Sequence, residues 1–256
     1  MADSTKRVWV LVVPGTGLIN IAGPTDVFGI ANQVLARPAY DVELLGPSAP
    51  DSRTRYGAVL SGLRPLPKAG ARLPELAIVA GSPINGSPEV DEQLVPWLRR
   101  FHPKIPTIVS TCTGAFTLAK AGLLDGRRAT THWMYLNLMR SRFPAVQVVD
   151  EGIFVRDGNI WTSAGVTAGI DLMLALVEQD HGHRVAMDVA KMLVLFLRRS
   201  GNQAQFSSAL QRQEKAPSKL RDIATFVLEH IDESLPVQRI AEGVGMSVRT
   251  LSRWCR

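Results

Sequence analysis

Apolar residues recur along this chain in two rhythms. Val8 to Val13 and Leu76 to Ala80 are unbroken apolar runs of strand length, closed by Pro14-Gly15-Thr16-Gly17 and Gly81-Ser82-Pro83. Such runs belong to parallel strands buried on both faces. Tyr40 to Leu45 and Ile105 to Ser110 predict two further strands, and Arg55 to Leu63 alternates enough for a hairpin. The second rhythm is helical: Val27, Phe28, Ile30, Ala31 and Val34 put one apolar face on a helix over Asp26 to Val34, and Glu89 to Phe101 predicts another. Later come a helix from Met134 to Arg142, strands at Val146–Val149 and Ile153–Val155 around Asp150-Glu151-Gly152, and a returning strand Ile160–Ser163 after Asp157-Gly158-Asn159. Val166 to His181 and Val185 to Arg198 are strong helical patterns. Alternating strands and helices predict an α/β sandwich with a largely parallel sheet.

The pattern changes near residue 200. Between Ser200 and Ser218 apolar density falls while Gln, Ser, Asn and Lys rise, as in a linker. Leu220, Ile223, Ala224, Val227 and Ile231 then share one helical face. Pro236 opens a helix over Val237–Glu242, Gly243 to Met246 form a turn, and Ser247 is placed as N-cap of a helix from Val248 to Arg256. Helix, tight turn, helix is the DNA-binding unit, although any small bundle shares that spacing. The expected divisions are 1–199, a linker 200–217, and 218–256.

The centre of the larger unit is Cys112. Thr111-Cys112-Thr113-Gly114 breaks the strand Ile105–Ser110, and Ala115 to Ala121 reads as the following helix, stopped by Gly122. This is the geometry of a nucleophile elbow. A helix N-terminus lowers a thiol pKa, so Cys112 is expected to hold a reactive thiolate. A small buried hydrophobe is the alternative for such a cysteine. The N–H groups of Thr113 and of Gly81 or Ser82 are expected to form an anion hole at the strand ends, one that would also hold a metabolite's carboxylate. His132 either meets a ligand or faces the core.

Charge changes the picture little. The 256 residues carry 29 Lys+Arg against 23 Asp+Glu, net +6. Gln211 to Arg256 holds 8 against 6, so basicity is spread, although the last ten residues hold Arg249, Arg253 and Arg256 with no acid. Two cysteines, Cys112 and Cys255, fit a reducing compartment and no disulfide scaffold. No apolar run approaches membrane-spanning length, so a cytoplasmic protein is expected. His181-Gly182-His183 lacks the companions of a metal site and is expected at a solvated helix end; no metal and no cofactor is predicted.

Ser110-Thr111-Cys112-Thr113-Gly114-Ala115-Phe116, then Ala121 to Trp133 with Thr130-Thr131-His132-Trp133, Thr162 to Asp171, and Gly201-Asn202-Gln203-Ala204-Gln205-Phe206 resemble the PfpI-like branch of the class I glutamine amidotransferase-like superfamily. The nearest resemblance is to the branch fused to AraC-type DNA-binding domains, which Ile240-Ala241, Gly245-Met246-Ser247 and Leu251-Ser252-Arg253-Trp254 also resemble. It implies a flavodoxin-like α/β sandwich with a largely parallel sheet, followed by a small all-α helix-turn-helix unit. In enzymes of this kind a carboxylate from the loop after the first strand approaches the cysteine; that position matches Asn20, an amide that cannot take a proton at neutral pH. Asp26, further on, is expected to start the helix.

The resemblance therefore implies a one-component transcription regulator and not an enzyme. A small-molecule effector, nitrogen-containing by the same resemblance, would bind at Asn20, Gly81, Ser82, Cys112, Thr113 and His132. Arg249, Thr250, Ser252, Arg253 and Arg256 would face DNA, with Leu251 and Trp254 turned inward, and the larger domain would form a homodimer. The rival is a cysteine-dependent hydratase or amidase using Cys112. The family carries two helix-turn-helix units and this sequence stops at Arg256, so weak, salt-dependent DNA binding is expected of residues 1–256.

Overall fold

The computed structural model describes residues 5–47, 50–68, 70–81, 88, 90–196, 198–203, 205, 218–230 and 232–254. The chain forms two compact units, Met1–Gln205 and Phe206–Arg256. In chain order the first contains β1 (Lys6–Leu11), α1 (Ile19–Leu35), β2 (Tyr40–Gly46), β3 (Ser52–Arg53), β4 (Val59–Leu60), β5 (Arg64–Pro65), β6 (Leu76–Ala80) and α2 (Leu94–Phe101). There follow β7 (Thr107–Thr111), α3 (Gly114–Lys120), β8 (Arg128–Ala129), α4 (Leu136–Arg142), β9 (Gln147–Val148), β10 (Phe154–Asp157), β11 (Ile160–Ser163), α5 (Thr167–His181) and α6 (His183–Met192).

Seven strands make one sheet in the order β10-β11-β7-β6-β1-β2-β5. Neighbours run parallel except β10, which returns antiparallel on β11. Successive residues of a strand point to opposite faces, and β1 divides accordingly. Trp9 and Leu11 join α2, α3 and α4 in one core around Trp97, Phe116 and Met139. Val8 and Val10 join α1, α5 and α6 in the other around Phe28, Leu172 and Val189. An unbroken apolar strand is what helices on both faces require.

Four expectations change. The first helix begins at Ile19, upstream of Pro24, and Asp26 is exposed in its middle. A proline in the early turns removes one hydrogen bond, while Ile21, Gly23 and Pro24 are all buried there. The second helix starts at Leu94 and not Glu89, because the Asp91 carboxylate accepts the N–H groups of Gln93 and Leu94. Val146–Val149 and Ile153–Val155 do not pair; β9 instead lies parallel to β8. The helix expected to reach Arg198 ends at Met192: Val194 has φ 54, and Leu193 and Leu195 pack against the α1–α5 core. The chain then returns along α5, where Arg198 pairs with Glu178 and Arg199 with Asp171.

Residues 200–203 and 205, within the stretch expected as a linker, lie on the first unit: Gly201 accepts from the N–H of Phe154, and Gln205 donates to Thr130 and Thr131. Residues 206–217 lie outside the described residues.

The second unit contains α7 (Ser218–Glu229), α8 (Val237–Gly243) and α9 (Val248–Trp254). Ile223, Ala241 and Leu251, one from each helix, form its core, with Ile240, Val244 and Met246 packed on it. The turn between α8 and α9 closes through Met246 N–H to the Ala241 carbonyl at 2.8 Å. Ser247 caps α9: its Oγ accepts the Thr250 N–H at 3.1 Å.

Candidate functional site

Cys112 sits between β7 and α3 with φ 54, a strained conformation for a residue with a side chain. The neighbouring strands impose it. The Cys112 N–H donates to the Ser163 carbonyl at 3.0 Å, continuing the β7–β11 ladder, and its own carbonyl accepts from the Thr131 hydroxyl at 2.9 Å. Two glycines close on the turn. A Cβ on Gly165 would stand 2.2 Å from the Cys112 Cβ, and one on Gly81 would stand 2.3 Å from the Thr111 carbonyl oxygen and 2.5 Å from the Thr113 nitrogen. The expected elbow is therefore present, and it is packed shut around a fully buried cysteine.

That packing reverses the expected electrostatics. Burial pushes the Cys112 thiol from 9.0 up to about 11, against weaker opposing hydrogen bonds from the backbone and hydroxyl of Thr113. Desolvation of a thiolate outweighs the field of a seven-residue helix. The anion hole also differs from expectation, since the Gly81 N–H faces the Thr111 hydroxyl at 3.4 Å. Ser82 lies outside the described residues.

A pH dependence follows. Below pH 9 the thiol is neutral in folded and unfolded chains alike. Between pH 9 and about 11 the unfolded chain ionises first, so stability falls as pH rises, by ~2–3 kcal/mol in all. In a Cys255→Ser background, the iodoacetamide labelling midpoint of Cys112 is expected near 11. A midpoint at or below the free-cysteine value of about 8.5 refutes this assignment.

Asn20 is buried at the start of α1 and spans two walls of the site. Its Nδ2 donates to the Gly81 carbonyl at 3.2 Å and its Oδ1 accepts the Val166 N–H at 2.9 Å. The two contacts fix the amide orientation and need both a donor and an acceptor, which a carboxylate does not supply. Asn20→Asp is expected to destabilise the fold by roughly 3 kcal/mol at neutral pH, because an anion would face the Gly81 carbonyl. The deficit should shrink as pH falls and the new side chain gains a proton it can donate. Urea unfolding at pH 7 and pH 4.5 measures both; a deficit that does not change with pH contradicts the bridge.

His132 leaves this buried group. Its Nδ1 accepts the Met134 N–H at 3.4 Å, and partial burial lowers its pKa, so the neutral ring carries its proton on Nε2. His132 lines a cavity of about 160 Å³ together with Trp133, Gly165, Val166, Arg199 and Gln205. Among the described members of the six expected ligand contacts, Asn20, Gly81, Cys112 and Thr113 form the closed elbow and His132 opens on this cavity.

Four residues emerge only from the fold. Burial pushes the Tyr135 phenol up; charge on Cys112 would act the same way and Arg55 opposes it, which places both within electrostatic range of the elbow. Arg199 binds Asp171 through Nε at 2.9 Å and Nη2 at 2.6 Å, and Thr167 through Nη2 at 2.9 Å. Gln205 donates to the Thr130 hydroxyl at 3.1 Å and to the Thr131 carbonyl at 3.0 Å. Nothing local marks Arg55 or Arg199. Gln205 stood inside a recognised motif, but with no contact to give it a role.

In the second unit Leu251 points into the core, while Arg249, Ser252 and Arg253 are exposed and Thr250 is half-buried beside them. Arg256 and the side chain of Trp254 lie outside the described residues.

The chain is similar to several known proteins. The HTH-type transcriptional regulator CdhR of Pseudomonas aeruginosa is 32% identical over 256 aligned residues, 98% of this chain and 74% of the regulator. The isonitrile hydratase of Pseudomonas putida is 41% identical over 107 residues, 42% of this chain and 44% of the enzyme. The crystal structure of an AraC family transcriptional regulator from Pseudomonas putida shares the fold, with a TM-score of 0.65 and 20% identity over 73% of this chain and 99% of that one. The model of the DJ-1/PfpI family matches residues 6–179, from β1 through nearly all of α5 and the whole elbow between them, and by that match over more than half of its length the chain belongs to the DJ-1/PfpI family.

Proposed function

We propose that this chain is a one-component transcription regulator, in which the DJ-1/PfpI unit binds a small nitrogen-containing metabolite and α9 enters the major groove of DNA. The observation that carries the reading is the amphipathic division of α9: Leu251 holds the three-helix core while Arg249, Ser252 and Arg253 stand free on the outer face of a Ser-capped helix. A recognition helix needs both halves, an anchor behind and donors in front. The similarity to CdhR, named as an HTH-type transcriptional regulator and aligned over 98% of this chain, supports it. A homodimer through the larger unit, acting in the cytoplasm, would bring two such helices to one duplex.

The elbow supports a sensory over a hydrolytic role. A thiol near pKa 11 is almost wholly neutral at physiological pH, and the group placed where a general base would stand is an amide already bonded on both sides. No appreciable turnover of amides, isonitriles or aldehydes is expected.

The test is a fluorescence anisotropy titration of the 256-residue chain on the promoter DNA next to its gene, at two salt concentrations. Binding that weakens steeply with salt supports the reading. Absence of binding at low salt, or hydrolytic turnover abolished by Cys112→Ala, overturns it.

A further inference from the structure

Helix α6 ends where nothing in its own sequence stops it. From His183 to Ser200 the chain holds no glycine and no proline, and Val185, Val189, Leu193 and Phe196 carry one apolar face on past Met192. The helix closes instead through the two hydrogen bonds of a Schellman motif. The Leu195 N–H reaches back to the Ala190 carbonyl at 3.1 Å, and the Val194 N–H to the Lys191 carbonyl at 2.9 Å. That motif needs one left-handed residue, a place glycine ordinarily takes. Here it falls on Val194, with φ 54. A β-branched side chain is strained in that conformation.

The turn has a second cost. It leaves Val194 88% and Phe196 91% exposed. Against both costs stand contacts made far from the turn in sequence. Leu193 and Leu195 pack on the core beside α1 and α5. Arg198 pairs with Glu178, and Arg199 gives Asp171 its backbone N–H at 2.9 Å and two guanidinium nitrogens at 2.9 and 2.6 Å. Local preference therefore favours more helix, and tertiary contacts favour the turn. Such an element has two arrangements within reach. In the second, α6 runs on through Phe196. One further turn returns Val194 to right-handed backbone and brings Phe196, seven residues after Val189, to the buried face of the helix. It also carries the chain about 6 Å onward. Arg198 and Arg199 then lose their partners on α5, which the chain reaches only by reversing at Val194.

We propose that the end of α6 is a two-state latch: the pinned turn, and a longer helix in which Arg198 and Arg199 let go of α5. The chain after Arg199 leads out of the first unit, so release lengthens the tether to the second unit and changes how far that unit can range. The latch rests on the regulator reading for its purpose and on the geometry of α6 for its existence.

The test places spin labels at Gln179→Cys and Ser200→Cys in the whole chain, with Cys255→Ser and with Cys112 left buried, and reads the distance from α5 to the returning chain. A short and a long distance are expected. Val194→Gly relieves the pinned turn and weakens the longer helix, so it should lower the ratio of long to short about tenfold. Arg198→Ala removes one pin and should raise it about threefold. Ala36→Gly, which relieves the same conformation at the end of α1, is the control and should leave the ratio unchanged. A single distance that neither Val194→Gly nor Arg198→Ala moves overturns the latch. Anisotropy titrations on the promoter DNA should shift in opposite directions for those two variants; equal affinities despite moved distances overturn the link to DNA. Loss of DNA binding in the wild type removes the regulator reading and leaves the latch to be judged on the distances.

Discussion

Gly165→Ala is expected to cost the larger unit roughly 2–5 kcal/mol, a large fraction of the ~5–15 kcal/mol that holds an ordinary domain folded. Two effects add. Gly165 has φ +89, outside the regions open to L side chains, and forcing a residue with a Cβ into left-handed backbone costs ~1–2 kcal/mol. The new methyl would also stand 2.2 Å from the Cβ and 2.5 Å from the Cα of Cys112. That part of the chain is tied to Ser163 and Thr131 and has no flexible end to move aside, so overpacking adds ~1–3 kcal/mol. Gly29→Ala is the control with the opposite sign: Gly29 lies inside α1 with nothing near its Cβ position, and alanine should stabilise by up to ~1 kcal/mol. Urea unfolding of the two variants beside the wild type measures both. A Gly165→Ala protein of wild-type stability would show that the elbow is far looser than its geometry.

The second large effect is on DNA. Arg249→Ala with Arg253→Ala is expected to weaken binding by roughly 100-fold or more at low salt, while the second unit keeps its helices. If both side chains grip phosphate, the slope of log affinity against log salt should flatten by about 1.8, at about 0.9 per contact. If one reads a base, the slope changes less and discrimination between sequences falls, at ~1–3 kcal/mol per lost bidentate contact. Neither arginine contributes to the core that Ile223, Ala241 and Leu251 form, so the helical circular dichroism should persist. Unchanged affinity would remove α9 from the DNA interface.

Much of the architecture was legible in advance because it is written in short-range periodicity. Leu76–Ala80 is a strand with the predicted ends, and the antiparallel return around Gly158 and the cap at Ser247 each fall where local chemistry demands. These depend on which face of a strand or helix is apolar, and on which residue can satisfy an orphan N–H. The misjudged boundaries share another cause. Helix α1 passes through Pro24, and α6 stops at Met192 although the helical pattern continues; in both places burial against the sheet outweighs local propensity.

Chemistry divided along the same line. That Cys112 stands in a strand–turn–helix elbow could be stated from residue order, and Asn20, singled out by the resemblance, bonds Gly81 beside that elbow. The protonation of that cysteine could not, because a dipole acts from the helix that follows it directly whereas desolvation comes from strands and glycines far along the chain, Gly81 and Gly165 above all. Nor could the cavity be read from the sequence: His132, Val166, Arg199 and Gln205 meet only because the chain turns at Val194 and runs back over α5. Local pattern determines which faces must be buried and where turns fall; what a buried group is charged with, and which distant side chains share a pocket with it, depends on the solvent that the assembled fold excludes.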